Sequence, residues 1–348
     1  EGKESVSSFQ ALMVSTASRV GTGNIVGVSS AICIGGVGSV FWMWIIAILG
    51  SASALAESTL AQIYKKKGKD GQCYGGPAYY IEAALHSREL AVVFCIAMIL
   101  TYAFGFNMLA SYNLQSTFAS QPFYNAEITP WIIGGILSLV MGWCLLGGGN
   151  RIVKVTSTLV PFMGIAYILV SLFVVVLNIG QLPSVMAQTF KEAFDFKAIF
   201  AGFAGSAMMQ GIRRGLYSNE AGIGSAPNAA ASAVVSHPVK QGLVQMLSVF
   251  IDTLLLCTAT AMMCLVSGVI PAKELQGAPW VQAALHKTLG SFGPYFIMIA
   301  MVLFAFTTLL GNCFYCDNLL TYIHKKQPDR KFMTGFRIVS ALAVFWGA

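Results

Sequence analysis

Charge is what this sequence has least of. Lys, Arg, Asp and Glu make up 10% of its 348 residues, against 56% apolar residues and a mean hydropathy of +0.70, whereas soluble domains carry about 25% charged residues. A soluble globular fold is excluded, and the bilayer becomes the solvent. Other absences narrow the function. There is no GxxxxGK[ST] phosphate loop, so no motif points to a nucleotide as energy source. His86, His237, His286 and His324 all fall at span ends or in loops, out of reach of a serine inside the membrane. A GxGD motif is missing too, and Asp252 has no second membrane carboxylate at matching depth. These gaps argue against an intramembrane hydrolase. No disulfide framework is visible, because Cys73 lies in a loop and the other cysteines lie in apolar spans. The Cys313 and Cys316 pair has only His324 nearby, too few ligands for zinc. The net charge of +7 lacks the exposed aromatics of a nucleic-acid face.

What the sequence has is long apolar runs. Stretches near residues 9–34, 38–63, 89–118, 130–147, 155–178, 199–235, 241–268 and 292–322 each approach or exceed the ~20 residues that cross a bilayer, and a ninth opens near Thr334. A start at Glu1 without methionine and a ninth span cut at Ala348 suggest a fragment whose remainder completes that span and adds others. With the N-terminus in the cytoplasm, fourteen Lys and Arg fall inside, among them Lys3, Lys65, Lys66, Lys67 and Lys69. Four fall outside: Lys191, Lys197, Lys273 and Lys287. This positive-inside bias predicts a multi-pass membrane protein with its N-terminus in the cytoplasm.

Two stretches break the apolar pattern. "RVGTGNIVGVSSA", Arg19 to Ala31, and "RGLYSNEAGIGSA", Arg214 to Ala226, superimpose Arg19 on Arg214 and Asn24 on Asn219 when the chain is shifted by 195 residues. A second echo, AALH in "GGPAYYIEAALH" and "GAPWVQAALH", has an offset of 200. Pro77 and Pro279 begin short amphipathic helices there, expected along opposite surfaces. Five spans precede Gly180, an odd number, so the second set enters from the other side. The expected architecture is all-α, a polytopic bundle with a 5+5 inverted repeat and broken first and sixth helices. Residues 1–180 would form the first repeat, and residues 181–348 a truncated second one of three spans and the start of a fourth.

Glycine costs about 1 kcal/mol in a helix interior, and backbone groups freed in lipid need protein, an ion or a polar ligand to satisfy them. A helix that stops near Val20 and restarts near Asn24 offers carbonyl oxygens to a cation and amide donors to a carboxylate. The matching break is expected over Leu216 to Gly222. Close packing of small residues explains Gly35, Gly36, Gly38, Gly134 and Gly135. It does not explain a threonine and an asparagine beside an arginine. Arg19, Arg213, Arg214, Glu57, Glu220 and Asp252 are intramembrane charges, and the carboxylates are expected to neutralise the arginines and hold the breaks open. Asn107, Asn113 and Gln115 either face the pathway or bridge helices.

These motifs, above all "RGLYSNEAGIGSAP", resemble the alanine or glycine:cation symporter family, the sodium:alanine symporters, across essentially the whole chain. The resemblance implies a leucine-transporter-like fold and a secondary transporter that carries small neutral amino acids with Na⁺, less often H⁺, by alternating access. A channel for small solutes is the other class considered. The family usually has a further helix ahead of the first repeat, which this sequence does not include. Where its third span often reads N-x-x-Q-A-N, this chain has "NMLASYN" with Ala110 at the glutamine position, and Tyr217 replaces the usual phenylalanine before SNEAG. The expected substrate set is therefore Thr22, Gly23 and Asn24 for the carboxylate, with Ala110, Tyr217 and Asn219 around the side chain. The resemblance further implies Na⁺ held by carbonyls of Ala17, Val20 and Phe304 and hydroxyls of Thr307 and Thr308, neutral oxygens suited to a hard cation.

Overall fold

The computed structural model describes residues 6–68, 73–196, 202 and 205–348; Lys3, Lys69 and Lys197 of the charge pattern lie outside the described residues. Helix α1 (Ser8–Arg19) opens on a capping box in which Ser7 and Gln10 bond each other's backbone N–H. It stops at Val20, and a π-helical turn, Gly23–Gly27, restarts the span as α2 (Val28–Gly35). Then come α3 (Ser39–Ile63), a two-stranded ribbon of β1 (Lys66–Lys67) and β2 (Cys73–Tyr74), and α4 (Pro77–Leu85). Helices α5 (Arg88–Ile99) and α6 (Phe106–Ser116) join through a π turn into one span, followed by α7 (Thr129–Leu146), α8 (Gly149–Leu177) and the surface helix α9 (Leu182–Ala193).

The order then recurs. Helix α10 (Ala207–Asn219) stops at Glu220, α11 (Ala226–Ser232) resumes, and α12 (Pro238–Val249) continues through the π turn Phe250–Cys257 into α13 (Thr258–Val266). Short α14 (Ala278–Leu289), long α15 (Phe292–His324) and α16 (Arg330–Gly347) follow. Among the described residues six continuous helices are long and apolar enough to cross a membrane: Ser39–Ile63, Arg88–Ser116, Thr129–Leu146, Gly149–Leu177, Pro238–Val266 and Phe292–His324. The apolar run at 9–34 and the described part of the run at 199–235 hold the two interrupted helices, whose described pieces are each too short to span alone.

Elements recur at a spacing near 200. Helix α3 begins at Ser39 and α12 at Pro238, 199 positions on; α7 begins at Thr129 and α16 at Arg330, 201 positions on. The AALH echo has this register. The 195-residue echo does not: Arg19 ends its helix, whereas α10 runs five residues past Arg214. The second interruption is therefore Glu220 to Ser225, not Leu216 to Gly222, because Leu216, Tyr217, Ser218 and Asn219 remain helical. The two short helices also differ. Most of α4 is at least partly exposed, whereas α14 is largely buried, with Trp280 wholly enclosed and Gln282 donating to the Thr117 carbonyl at 3.0 Å.

The interrupted helices occupy the middle of the bundle. Helix α1 packs against α8 and α15, and α10, α11 and α12 pack along α3. Large apolar side chains of α7 and α8, such as Leu139, Trp143, Phe162 and Phe173, point outward and suit a lipid surface.

Candidate functional site

The first interruption is held open by its own side chain. Val20 N–H still reaches the Thr16 carbonyl at 2.7 Å, but Gly21 N–H, which would have closed onto Ala17, donates instead to Asn24 Oδ1 at 3.0 Å. The last carbonyls of α1 thus lose their next-turn donors. Asn24 Nδ2 in turn donates to Asp252 Oδ1 at 2.6 Å, tying the break to the π turn between α12 and α13. Thr308 of α15 closes over this break: a Cβ added at Gly21 would collide with its Oγ1, which is buried without a hydrogen-bond partner.

The second interruption uses left-handed backbone. Glu220, Gly222 and Gly224 all have positive φ, 52°, 83° and 86°, a region costly for any residue but glycine. Its exposed amides find an acceptor on α3, where the Glu57 carboxylate takes Gly222 N–H at 3.2 Å and Gly224 N–H at 3.1 Å. Asn219 Oδ1 accepts from Ala221 N–H at 3.0 Å, the counterpart of Asn24 in the first break.

Between the breaks lies a cavity of about 30 Å³, lined by Ser18, Arg19, Gly21, Thr22, Gly23, Phe106, Ala110, Arg214, Tyr217, Ser218, Glu220 and Thr308. A water needs about 10–15 Å³ by this measure, so an amino acid enters only if the walls give way. Five expected site residues meet there: Thr22, Gly23, Ala110, Tyr217 and Thr308. The side chains of Asn24 and Asn219 instead serve the backbone of the breaks. Of the expected cation ligands, Thr308 reaches the break, while Thr307 Oγ1 donates into its own helix, to the carbonyls of Leu303 at 3.0 Å and Phe304 at 3.3 Å. Asn113 also joins, donating to Thr22 Oγ1 at 3.1 Å.

Arg214 is the wall residue that sequence reasoning did not assign to the substrate. Its guanidinium lies over the Tyr217 ring at 4.8 Å from the centroid and fills the space that glycine leaves at positions 23 and 27. Its Nε and Nη2 are buried without partners. The expected neutralisation of arginines by carboxylates is not what the molecule does. Among the described residues the ion pairs within 4.0 Å are Arg88–Glu82 and Arg337–Asp317. Glu57, Glu220 and Asp252 are satisfied by backbone N–H, hydroxyl and amide donors instead, and Arg19 donates to the Gln245 carbonyl at 3.2 Å. Arg213 is exposed.

A larger cavity of about 420 Å³ sits toward the C-terminal end of α15, beside Asp317, Asn318 and Arg337. It touches neither interruption, and the smaller cavity between the breaks is the candidate site.

The overall fold matches a crystal structure of MhsT in complex with L-phenylalanine, with a TM-score of 0.65 over 99% of this chain and 80% of that one at 15% identity, a likeness of fold alone. In sequence the chain is 37% identical to the sodium/alanine symporter AgcS of Methanococcus maripaludis, covering 99% of this chain and 75% of that protein. It is 35% identical to the sodium/proton-dependent alanine carrier protein of Bacillus sp. (strain PS3), covering 98% and 79%. The family model described as "Sodium:alanine symporter family" matches residues 1–348. With its leucine-transporter-like bundle and two interrupted helices, the chain belongs to the sodium:alanine symporter family of membrane transporters.

Proposed function

We propose that this protein imports a small neutral amino acid, alanine or glycine, across the cytoplasmic membrane in symport with Na⁺. The observation that carries this reading is the asymmetry of the first break. Its upstream end presents carbonyls freed by the diversion of Gly21 N–H to Asn24, and its downstream end presents amides beside a guanidinium without a carboxylate partner. One end suits a cation and the other a carboxylate. The names of the relatives, a sodium/alanine symporter and a sodium/proton-dependent alanine carrier, support alanine and Na⁺ and bring in a proton as well.

In this reading the substrate carboxylate binds the amides of Thr22 and Gly23 and the Arg214 guanidinium. Phe106 and Tyr217, edge to face at 5.2 Å, and Ala110 bound the room for the side chain. A methylene in such a pocket is worth about 1–3 kcal/mol, so discrimination between alanine and glycine is modest. Asn24 and Asn219 position the two breaks. Na⁺ binds the carbonyls of Ala17 and Val20 with Thr308 Oγ1, and Thr307 and Phe304 complete the shell when the Thr307 hydroxyl turns from its own helix. Residues 1–180 and 181–348 act as the two repeats, and a bundle containing both interrupted spans rocks around this site against a scaffold of the third and fourth spans of each repeat.

Alanine uptake measured over a range of Na⁺ concentrations tests the assignment. Thr308→Ala raises the Na⁺ needed for half-maximal uptake more than Thr307→Ala does, and alanine affinity at saturating Na⁺ changes less. Equal, negligible effects of both substitutions would remove Na⁺ from this position.

A further inference from the structure

Glu220 of the second interruption touches the first through Ser18. Ser18 Oγ is 3.0 Å from Glu220 Oε1, 3.3 Å from Glu220 Oε2 and 2.7 Å from Asn312 Oδ1, and all three residues are buried. The 3.0 Å and 2.7 Å separations fall within the range of about 2.5–3.0 Å of O–H···O hydrogen bonds, each of which holds a proton between its oxygens. Ser18 has one hydroxyl proton to serve two partner residues.

The orientation of Asn312 decides where that proton goes, and a backbone carbonyl anchors it. Ala103 C=O only accepts, so Asn107 must turn Nδ2 toward it, at 3.2 Å. Asn107 Oδ1 then faces Asn312 and accepts from Asn312 Nδ2 at 2.9 Å. Asn312 consequently presents Oδ1 to Ser18. Flipping either amide would set oxygen against oxygen or nitrogen against nitrogen further along the chain. Ser18 therefore donates to Asn312, and nothing but Glu220 itself can supply the proton of the 3.0 Å contact. The other carboxyl oxygen, Oε2, accepts from Ser225 Oγ at 2.8 Å.

We propose that Glu220 is a proton-binding site, occupied in this conformation, whose carboxylic acid donates to Ser18 and so ties the end of α1 to the unwound segment after α10. The ligand is a hydron, the second coupling ion of the transport reaction, and this part of the inference rests on the symport reading above. The charged groups around Glu220 are Arg19 on α1, Glu57 on α3 and Asp252 in the π turn after α12, with the phenols of Tyr102, Tyr217 and Tyr315. Arg19 makes no ion pair with it within 4.0 Å. Its own hydrogen bonds go to Ser18 and Ser225, not to the oxygens assigned to Na⁺. Loss of the proton would leave the one Ser18 hydroxyl contested between the Glu220 carboxylate and Asn312 Oδ1, so ionisation of Glu220 costs α1 one of these two ties.

Infrared difference spectroscopy on the purified full chain at neutral pH, without Na⁺ or alanine, reads the proton directly and independently of transport. The wild type minus Glu220→Gln spectrum shows one protonated-carboxyl C=O band, and that band shifts in Ser18→Ala, where the acid has lost its acceptor. Carboxylate bands in its place would overturn the proposal, as would a C=O band indifferent to Ser18→Ala. In uptake assays the wild type slows as pH rises, and Glu220→Gln loses that dependence; an unchanged pH profile in the variant also contradicts the site. Should alanine prove not to be the substrate, the infrared result stands or falls by itself.

Discussion

Asn24 joins three parts of the molecule through one amide: it takes the Gly21 N–H that would have continued α1, and it holds Asp252 across the bundle. Asn24→Ala leaves a buried N–H and a buried carboxylate short of a partner, a loss of about 1–3 kcal/mol for each group. Thermal unfolding in detergent should show a clear fall in midpoint, larger than for Asn219→Ala, where the one described bond is to Ala221 N–H. Equal midpoints would mean that water replaces Asn24 at no cost. Gly23 answers to a different neighbour. Its missing side chain makes room for the Arg214 guanidinium, so Gly23→Val displaces that cation and abolishes alanine binding. Retained affinity in that variant would take both the amides and Arg214 out of the substrate site.

At the scale of elements, each interruption carries its own means of support. The break after α10 depends on Glu57 of α3, whose carboxylate accepts the N–H groups of Gly222 and Gly224, close to a charge-assisted anion cradle. Glu57→Gln turns one acceptor oxygen into a donor facing another donor, and it should lower the unfolding midpoint more than an exposed change such as Glu89→Gln; an equal midpoint would count against the cradle. Much of this was legible in sequence. Glycine and asparagine within apolar runs located the first break and signalled a second, because lipid tolerates neither without a purpose. The register of the second break was not legible, since the 195-residue echo aligned side-chain types while the elements recur near 200. The partners of the carboxylates were hidden as well. Charge suggests arginine as the neutralising group, whereas the loops supplied backbone N–H groups whose direction depends on φ at Glu220, Gly222 and Gly224. The adjacent threonines looked equivalent, yet 100° of helical rotation per residue sends Thr308 toward the break and Thr307 toward Met163.

At the scale of the whole molecule, α1 is the element that the chemistry would move. It lies against α15 so closely that a Cβ at Gly311 would come within 2.7 Å of Ser18 N. Gly311→Val should hold the two helices apart, weaken Na⁺-dependent alanine binding and stop uptake; normal uptake would show that this contact does not have to close during transport. The most direct measurement for the central claim is uptake of labelled alanine by the full chain in liposomes, with and without an inward Na⁺ gradient. The account predicts saturable accumulation above the external concentration that collapses when a sodium ionophore dissipates the gradient. Uptake that does not saturate, or that only equilibrates whatever the cation gradient, would contradict it.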